Sequence, residues 1–206
     1  MTVSRIIAGR AGGRRLRTPG GSATRPTSDR VREALFSALA AWNGTAEGKV
    51  DGQLADQSFL DLFAGSGAVG LEAASRGAAP VICVEKDRRT AALISANARD
   101  TGLAGRVSAV AQSVGRYLSA PQGDDAGDRE SRFDVIWFDP PYALDGSELD
   151  PLIASAVSGF LADDGMVAVE RSSRSAAPAF PDGMVSWANR YGETVVHFAQ
   201  ADREHT

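Results

Sequence analysis

The chain has 206 residues, 43% of them hydrophobic, and a formal net charge of −4, enough for one sizeable α/β domain with a short appendage. No apolar run approaches the length of a membrane span, and Met1-Thr2-Val3-Ser4-Arg5 lacks the apolar segment of a signal peptide, so the cytoplasm is the expected location. One cysteine, Cys83, excludes a disulfide framework, and the only histidines, His197 and His205, have no ligand-spaced partners, so no metal site is expected.

The charge is unevenly spread along the chain. Residues 1–32 hold eight arginines (Arg5, Arg10, Arg14, Arg15, Arg17, Arg25, Arg30 and Arg32) against Asp29, a balance of +7, which leaves −11 for the remainder. A basic arm on an acidic body is the electrostatic footprint of a protein that grips nucleic acid at one end. Arginine without lysine favours bidentate phosphate contact and base stacking over simple attraction. A charge run taken alone is more often a solvated tail. Here Ile6-Ile7-Ala8 and Leu16 bracket Gly9 to Gly13 in a hairpin-like pattern, so the arm is expected to carry structure.

A helix follows. Pro26-Thr27-Ser28-Asp29 is a start signal, with Thr27 or Ser28 as the cap. Val31, Ala34, Leu35, Ala38, Leu39 and Trp42 then recur at helical spacing and predict one apolar face. Residues 1–45 therefore read as a basic extension of hairpin plus helix, and 46–206 as the main domain. The polar, glycine-containing stretch Ala40 to Gln57 reads as a surface connection.

Phe59 to Leu62 predicts a strand that runs into the glycine turn Phe63-Ala64-Gly65-Ser66-Gly67 and then a short helix, Val69 to Arg76. Gly65 and Gly67 let the backbone bend and approach a ligand, and Gly65-x-Gly67-x-x-Gly70 has the dinucleotide spacing, a weak signal alone. Asp61 places a carboxylate just before the turn. About twenty residues on, Val81 to Glu85 is a buried strand ending in an acid placed to accept hydrogen bonds from a ribose. The pair points to an adenosine-containing cofactor.

Asp87 to Asp100 predicts a helix with Ala91, Ala92, Ile94, Ser95 and Ala98 inward, and Arg106 to Val110 a third strand leading to Gln112-Ser113. Pro121 to Arg132, rich in aspartate, reads as a mobile loop.

Phe133 to Phe138 is an apolar run stopped by Asp139-Pro140-Pro141-Tyr142, a buried strand ending in a rigid turn. In an open α/β sheet ligands bind at that end of the strands. The two prolines hold the turn extended and offer no N–H, so it presents acceptors: the Asp139 carboxylate and nearby carbonyls. Acceptors around a small gap suit an exocyclic amino group, and Tyr142 adds a flat face for stacking a base. The plainer reading of the tetrapeptide is a strand-terminating turn with an aromatic plug. Leu149 to Leu161 then predicts a helix, Gly165 to Glu170 a fifth strand, and Met184 to Arg190 with Glu193 to Ala199 a hairpin joined at Tyr191-Gly192. The succession predicts a mostly parallel, doubly wound sheet with an antiparallel edge.

Asp61-x-Phe63-x-Gly65-x-Gly67, Glu85 and Asp139-Pro140-Pro141-Tyr142 together resemble the motif set of S-adenosylmethionine-dependent amino-methyltransferases, which implies a Rossmann-like seven-stranded sheet. With Gly9-Arg10-Ala11-Gly12-Gly13-Arg14-Arg15-Leu16 and Arg25-Pro26-Thr27 through Phe36 the set resembles the RsmD family, the bacterial 16S rRNA (guanine(966)-N2)-methyltransferases, over residues 4 to 170 or so. The resemblance implies S-adenosylmethionine as cofactor, held by Asp61, Phe63, Ala64, Gly65, Ser66, Gly67, Glu85, Lys86, Gln112, Ser113 and Thr27. It implies catalysis by Asp139, Pro140 and Tyr142. It also implies contact with 16S rRNA, or a small-subunit assembly intermediate, through Arg5, Arg10, Arg14, Arg15, Arg25 and Arg30. Gln112 departs from the family, where an acid usually meets the adenine amino group. Nothing marks a dimer seam or a membrane contact, so a monomer is expected. Rival readings are a DNA adenine-N6 methyltransferase, which faces the same amine chemistry, a nicotinamide-dependent oxidoreductase, which leaves Asp139 to Tyr142 unexplained, and an idle RNA-binding factor, which needs no intact glycine turn.

Overall fold

The computed structural model describes residues 4–20, 28–120 and 132–202. Arg25, Thr27 and nearly all of the aspartate-rich loop, 121–131, lie outside them. Seven strands form one sheet in the order β3-β2-β1-β4-β5-β7-β6. β1 (Phe59–Leu62), β2 (Val81–Glu85), β3 (Val107–Ala111), β4 (Phe133–Phe138) and β5 (Leu161–Ser172) run parallel. β7 (Thr194–Ala201) pairs antiparallel with both β5 and β6 (Met184–Tyr191). The central strands are covered on both sides: all four residues of β1 and all but one of β4 are buried.

One face carries α1 (Asp29–Trp42), α2 (Ala68–Ser75) and α3 (Arg88–Thr101), packed through Leu35, Phe36, Leu71 and Ile94 against Phe59, Trp137 and Ala168. The other carries α4 (Val114–Leu118) and α5 (Gly146–Phe160) against Leu60, Leu62, Ile136 and Phe138. The alternation assigns side chains to faces, so Asp61, between Leu60 and Leu62, faces α2. Chain reversal at the switch between β1 and β4 leaves a crevice at the carboxyl ends of the strands. No helix among the described residues is long and apolar enough to cross a membrane.

The arm is a hairpin docked on the first face. Arg5 and Arg15 pair as an antiparallel bridge, Ile6 N–H donates to Arg14 O at 2.9 Å, and Leu16 N–H to Ser4 O at 2.8 Å. Ile6, Ala11 and Leu16 are buried in the same core as α1. Glu72 on α2, with no exposed surface, ties the hairpin down by accepting the N–H groups of Ile7 (2.6 Å) and Ala8 (3.0 Å) while pairing with Arg76 at 2.8 Å. Ser75 adds a bond from Ala11 N–H at 3.0 Å, and its carbonyl takes Arg10 N–H at 2.9 Å.

Several local expectations are corrected. The apolar face of α1 is rotated: Phe36 and Ala40 are buried with Val31, Leu35 and Leu39, whereas Ala34 and Ala38 are half-buried. Ser28 is its cap, accepting Val31 N–H at 3.3 Å. Leu54, within the stretch expected at the surface, is fully buried where its N–H reaches Arg76 O. Ala92 faces outward, and Asn97 and Thr101 take the inward positions. α4 follows the third strand where no helix was expected, and β5 runs from Leu161 rather than Gly165, with an irregular register against β4 between Phe133 and Val135. The hairpin turn is Gly192-Glu193, one residue later than the pattern indicated.

Candidate functional site

The glycine turn connects β1 to α2, and its backbone is shaped by unusual dihedral angles. Gly65 and Gly67 have φ of +54° and +77°, and Phe63 has φ of +65°, a region that costs a residue with a Cβ about 1–3 kcal/mol. Such strain persists only where the surroundings fix it. Here Ala64 N–H donates to Val84 O at 3.0 Å, and Phe63 packs its ring 6.5 Å from that of Phe138. A Cβ on Gly67 would lie 2.9 Å from Ile94 Cγ2, and one on Gly70 would collide with Cys83 Sγ, so these glycines serve the packing of α2 against β2 and α3. A Cβ on Gly65 would meet open space, so only its φ demands glycine and its outer side faces the crevice.

Two carboxylates hold the turn. Glu85 at the end of β2 accepts Gly65 N–H at 3.0 Å through Oε2 and Asp87 N–H at 2.8 Å through Oε1. Each of its oxygens keeps a further lone pair. Asp61 is buried and accepts Gly70 N–H at 2.9 Å. Burial raises its carboxyl from 3.8 to about 8; the Gly70 bond opposes this, and the charges of Asp139 and Glu85 add to it. Lys86 is exposed beside Glu85.

Asp139 to Tyr142 leave the neighbouring strand at the same level. The pairing ends at Leu62 with Phe138, and Asp139 N–H donates to Leu62 O at 3.4 Å, so the proline turn begins beside the first residue of the glycine turn. Asp139 is half-buried, Pro140 is buried, and Tyr142 is 63% exposed. Leu144 N–H closes the turn on Pro141 O at 2.9 Å, and Arg171 of β5 donates to Leu144 O at 2.9 Å, which pins the segment behind Tyr142. Gln112 and Ser113 follow β3; Gln112 is half-buried, and Ser113 is exposed and caps α4 by accepting Arg116 N–H at 3.4 Å. The candidate residues on β1, β2, β3 and β4 thus all collect at one edge of the sheet. Thr27 and Arg25 lie outside the described residues.

Of the basic candidates, Arg5, Arg10, Arg14, Arg15 and Arg30 are exposed. Arg5 reaches Asp29 at 3.5 Å, and Arg14 donates to Asp100 O at 3.0 Å. Arg32 is not part of that surface: it is 1% exposed, paired with Asp29 at 2.6 Å.

Sequence reasoning missed Asn97. Its amide accepts Arg17 N–H at 2.8 Å and donates to Arg17 O at 3.0 Å and to Ser66 O at 3.2 Å, joining the arm to the glycine turn. The signal was available as one amide on the stripe Ile94, Ala98, Thr101. Also missed was a cavity of about 430 Å³ beside the proline turn, lined by Ser28, Tyr142, Glu170, Ser172, Arg174 and the hairpin turn Tyr191–Thr194.

The family model described as "Conserved hypothetical protein 95" matches residues 4–200. The ribosomal RNA small subunit methyltransferase D of Escherichia coli strain K12 is 33% identical over 177 residues, covering 86% of this chain and 79% of that protein. YlbH of Bacillus subtilis strain 168 is 34% identical over 138 residues, 67% of this chain and 66% of YlbH. The solved structure of yhhF from Escherichia coli superposes with a TM-score of 0.78 at 28% identity, over 98% of this chain and 99% of that one.

Proposed function

The chain belongs to the conserved hypothetical protein 95 family, the RsmD family, and from that premise we propose that it is an S-adenosylmethionine-dependent methyltransferase acting on the N2 amino group of a guanine in 16S rRNA. The observation that carries this reading is the adjacency of the two turns: a strained glycine turn with an open outer side after β1, and after β4 a proline turn, poor in N–H donors, whose Asp139 N–H is bonded to Leu62 O of β1. The name of the Escherichia coli relative supports a ribosomal RNA substrate over DNA.

The residues present fit the cofactor. Gly65 leaves room at its outer side, and Glu85 retains lone pairs for ribose hydroxyls. Asp61, Phe63, Ala64, Ser66, Gly67, Lys86, Gln112, Ser113 and Thr27 complete the set assigned to it. When bound, S-adenosylmethionine supplies an electrophilic methyl on a sulfonium.

The protein's own groups do the rest. The target guanine leaves its stack, as a base undergoing chemistry must, and Tyr142 offers its exposed ring to it. Asp139 and the Pro140 carbonyl accept the two N2 hydrogens, which localises the nitrogen lone pair and directs it at the methyl. Asp139 would take the N2 proton released on methylation and pass it on to water. No covalent enzyme intermediate is needed; positioning and fixed charge supply the rate. Residues 1–45 form the RNA-contacting extension, with Arg5, Arg10, Arg14, Arg15, Arg25 and Arg30 on phosphates, and the protein acts as a monomer.

Methyl transfer from labelled S-adenosylmethionine to unmodified small-subunit particles, with the labelled nucleotide identified by digestion and mass, tests the reading. Label on guanine N2 is expected. Label on adenine, or on DNA instead of RNA, would overturn the substrate assignment.

A further inference from the structure

We propose that Asn97 is a positioning residue that couples the cofactor turn to the basic arm, so that S-adenosylmethionine on the turn orders the segment that takes the RNA. The inference goes beyond the reading of the chain as an rRNA methyltransferase and rests on it for the identity of the two ligands.

Asn97 stands on α3, is 1% exposed, and uses its amide in two directions. Toward the arm, Oδ1 accepts Arg17 N–H at 2.8 Å and Nδ2 donates to Arg17 O at 3.0 Å. Toward the glycine turn, the second proton of Nδ2 goes to Ser66 O at 3.2 Å. Both amide protons are thereby engaged. The double contact with the N–H and the carbonyl of one residue settles which way the amide faces. Turned over, it would set its NH2 against Arg17 N–H and its oxygen against two carbonyls, and all three bonds would fail. The proton that reaches Ser66 is therefore aimed by the docked arm.

The turn receives this bond where its backbone is least constrained. Ser66 lies between Gly65 and Gly67, with φ of +54° and +77°, residues whose lack of a Cβ opposes rotation only weakly. The peptide group joining Ser66 to Gly67 is held at both ends: Gly67 N–H donates to Ala64 O at 2.8 Å, and Ser66 O accepts from Asn97. Rotation of that group would exchange its carbonyl and its N–H, and with them what the turn offers a ligand.

The rest of α3 supports the link. One turn before Asn97, Ile94 sits so close to the glycine turn that a Cβ on Gly67 would lie 2.9 Å from its Cγ2. One turn after, Asp100 pairs with Arg17 at 2.7 Å, and its carbonyl accepts from Arg14, a candidate RNA contact, at 3.0 Å. A single helix thus meets the turn at one end of this stretch and the arm at the other, and Asn97 bonds to both. A ligand that fixes the Ser66 carbonyl fixes the amide, and the amide holds Arg17. Such linkage is reciprocal, so RNA on the arm favours the cofactor by the same factor.

The test is amide hydrogen exchange on the full-length protein, with and without saturating S-adenosylmethionine. RNA is left out, so that contact between a base and the cofactor contributes nothing. In the native protein the cofactor should slow exchange in the glycine turn and also, by roughly 2–10-fold, the weight of one hydrogen bond, at Leu16 and Arg17 of the arm. Asn97→Leu keeps the side-chain volume and none of the bonds. At cofactor concentrations that saturate this variant, protection should stay confined to the turn. Asp100→Ala removes the ion pair with Arg17 but leaves the amide in place, and should transmit protection as the native protein does. Native arm exchange indifferent to the cofactor overturns the proposal without recourse to any variant. Arm protection that persists in Asn97→Leu, or vanishes in Asp100→Ala, overturns the assignment to the Asn97 amide. Failure of the native protein to bind S-adenosylmethionine at all would instead strike the functional reading beneath it.

Discussion

Replacing Glu72 by glutamine should loosen the basic arm from the body at a cost that can be worked from its bonds. The buried carboxylate accepts three: Ile7 N–H at Oε2, and Ala8 N–H together with Arg76 Nε at Oε1. The amide has one oxygen. Placed at the Oε1 site, it keeps Ala8 and Arg76 as weaker neutral bonds, but turns its NH2 toward Ile7 N–H, donor against donor. Downgrading the charge-assisted pair costs about 1.5–3 kcal/mol and orphaning a buried donor about 1–3 kcal/mol. The sum, about 2.5–6 kcal/mol, brackets the roughly 3–5 kcal/mol lost when one partner of a buried ion pair is removed. For a chain of this length that lowers Tm by about 6–20 °C. Urea unfolding followed by circular dichroism measures the loss, and binding of an rRNA fragment measures the arm: affinity should fall, with a shallower salt dependence. A loss below about 0.5 kcal/mol, the range of an ordinary surface substitution, would refute the view that Glu72 is what docks the hairpin.

Asp139→Ala should lower single-turnover methyl transfer by about 10²–10³-fold while leaving S-adenosylmethionine affinity, read by calorimetry, nearly unchanged; turnover within a few-fold of native would remove Asp139 from the chemistry. Reversing Arg14 and Arg15 to glutamate should flatten the plot of log affinity for RNA against log salt by about two, near one per phosphate contact; an unchanged slope would return both side chains to a solvated role. Asp61 has a folded-state pKa raised to about 8, so between pH 4 and 8 the native state keeps a proton that the unfolded state has lost, and stability falls as pH rises. Asp61→Asn retains an acceptor for Gly70 N–H and removes that dependence. Its stability relative to the native protein should climb by up to about 1.4 kcal/mol per pH unit across that window, and a pH-independent difference in urea titrations would refute the raised pKa.

The extent to which the chain could be read in advance varied with the kind of residue doing the work. β2 emerged at its full span, Val81–Glu85, because a short run buried on both faces and closed by an acid has few alternative readings. α3 was placed to within a residue, yet its inward face was misjudged at Ala92, since alanine carries too little apolar surface to mark a side and the polar Asn97 occupies the inward position. α4 escaped notice because a five-residue helix shows barely one turn of periodicity. The local motifs, Phe63 to Gly67 and Asp139 to Tyr142, were visible as spacing. Their adjacency was not, because it depends on β1 pairing with β4 across more than seventy residues of intervening chain. The cavity lined by Tyr142, Glu170 and Ser172 was hidden for the same reason: neither residue of β5 is unusual in its own stretch, and only the pairing of β4 with β5 brings that strand beside the proline turn. Arg32 shows the converse, a charge counted with the basic arm that the fold uses internally against Asp29.

The position of β7 has a consequence for how the molecule is made. Among the described residues β7 is the last strand but sits between β5 and β6, and it is the only partner β6 has in the sheet. During synthesis the five parallel strands can assemble as soon as Ser172 has emerged, whereas β6 must wait, unattached, for the residues behind it. Until Thr194–Ala201 arrive, β5 presents an unpaired edge whose residues 166–171 are buried in the finished molecule. A chain stopped before β7 would therefore retain both turns of the candidate site yet expose a sticky border along β5, and should be removed by aggregation or proteolysis rather than accumulate as a smaller working enzyme.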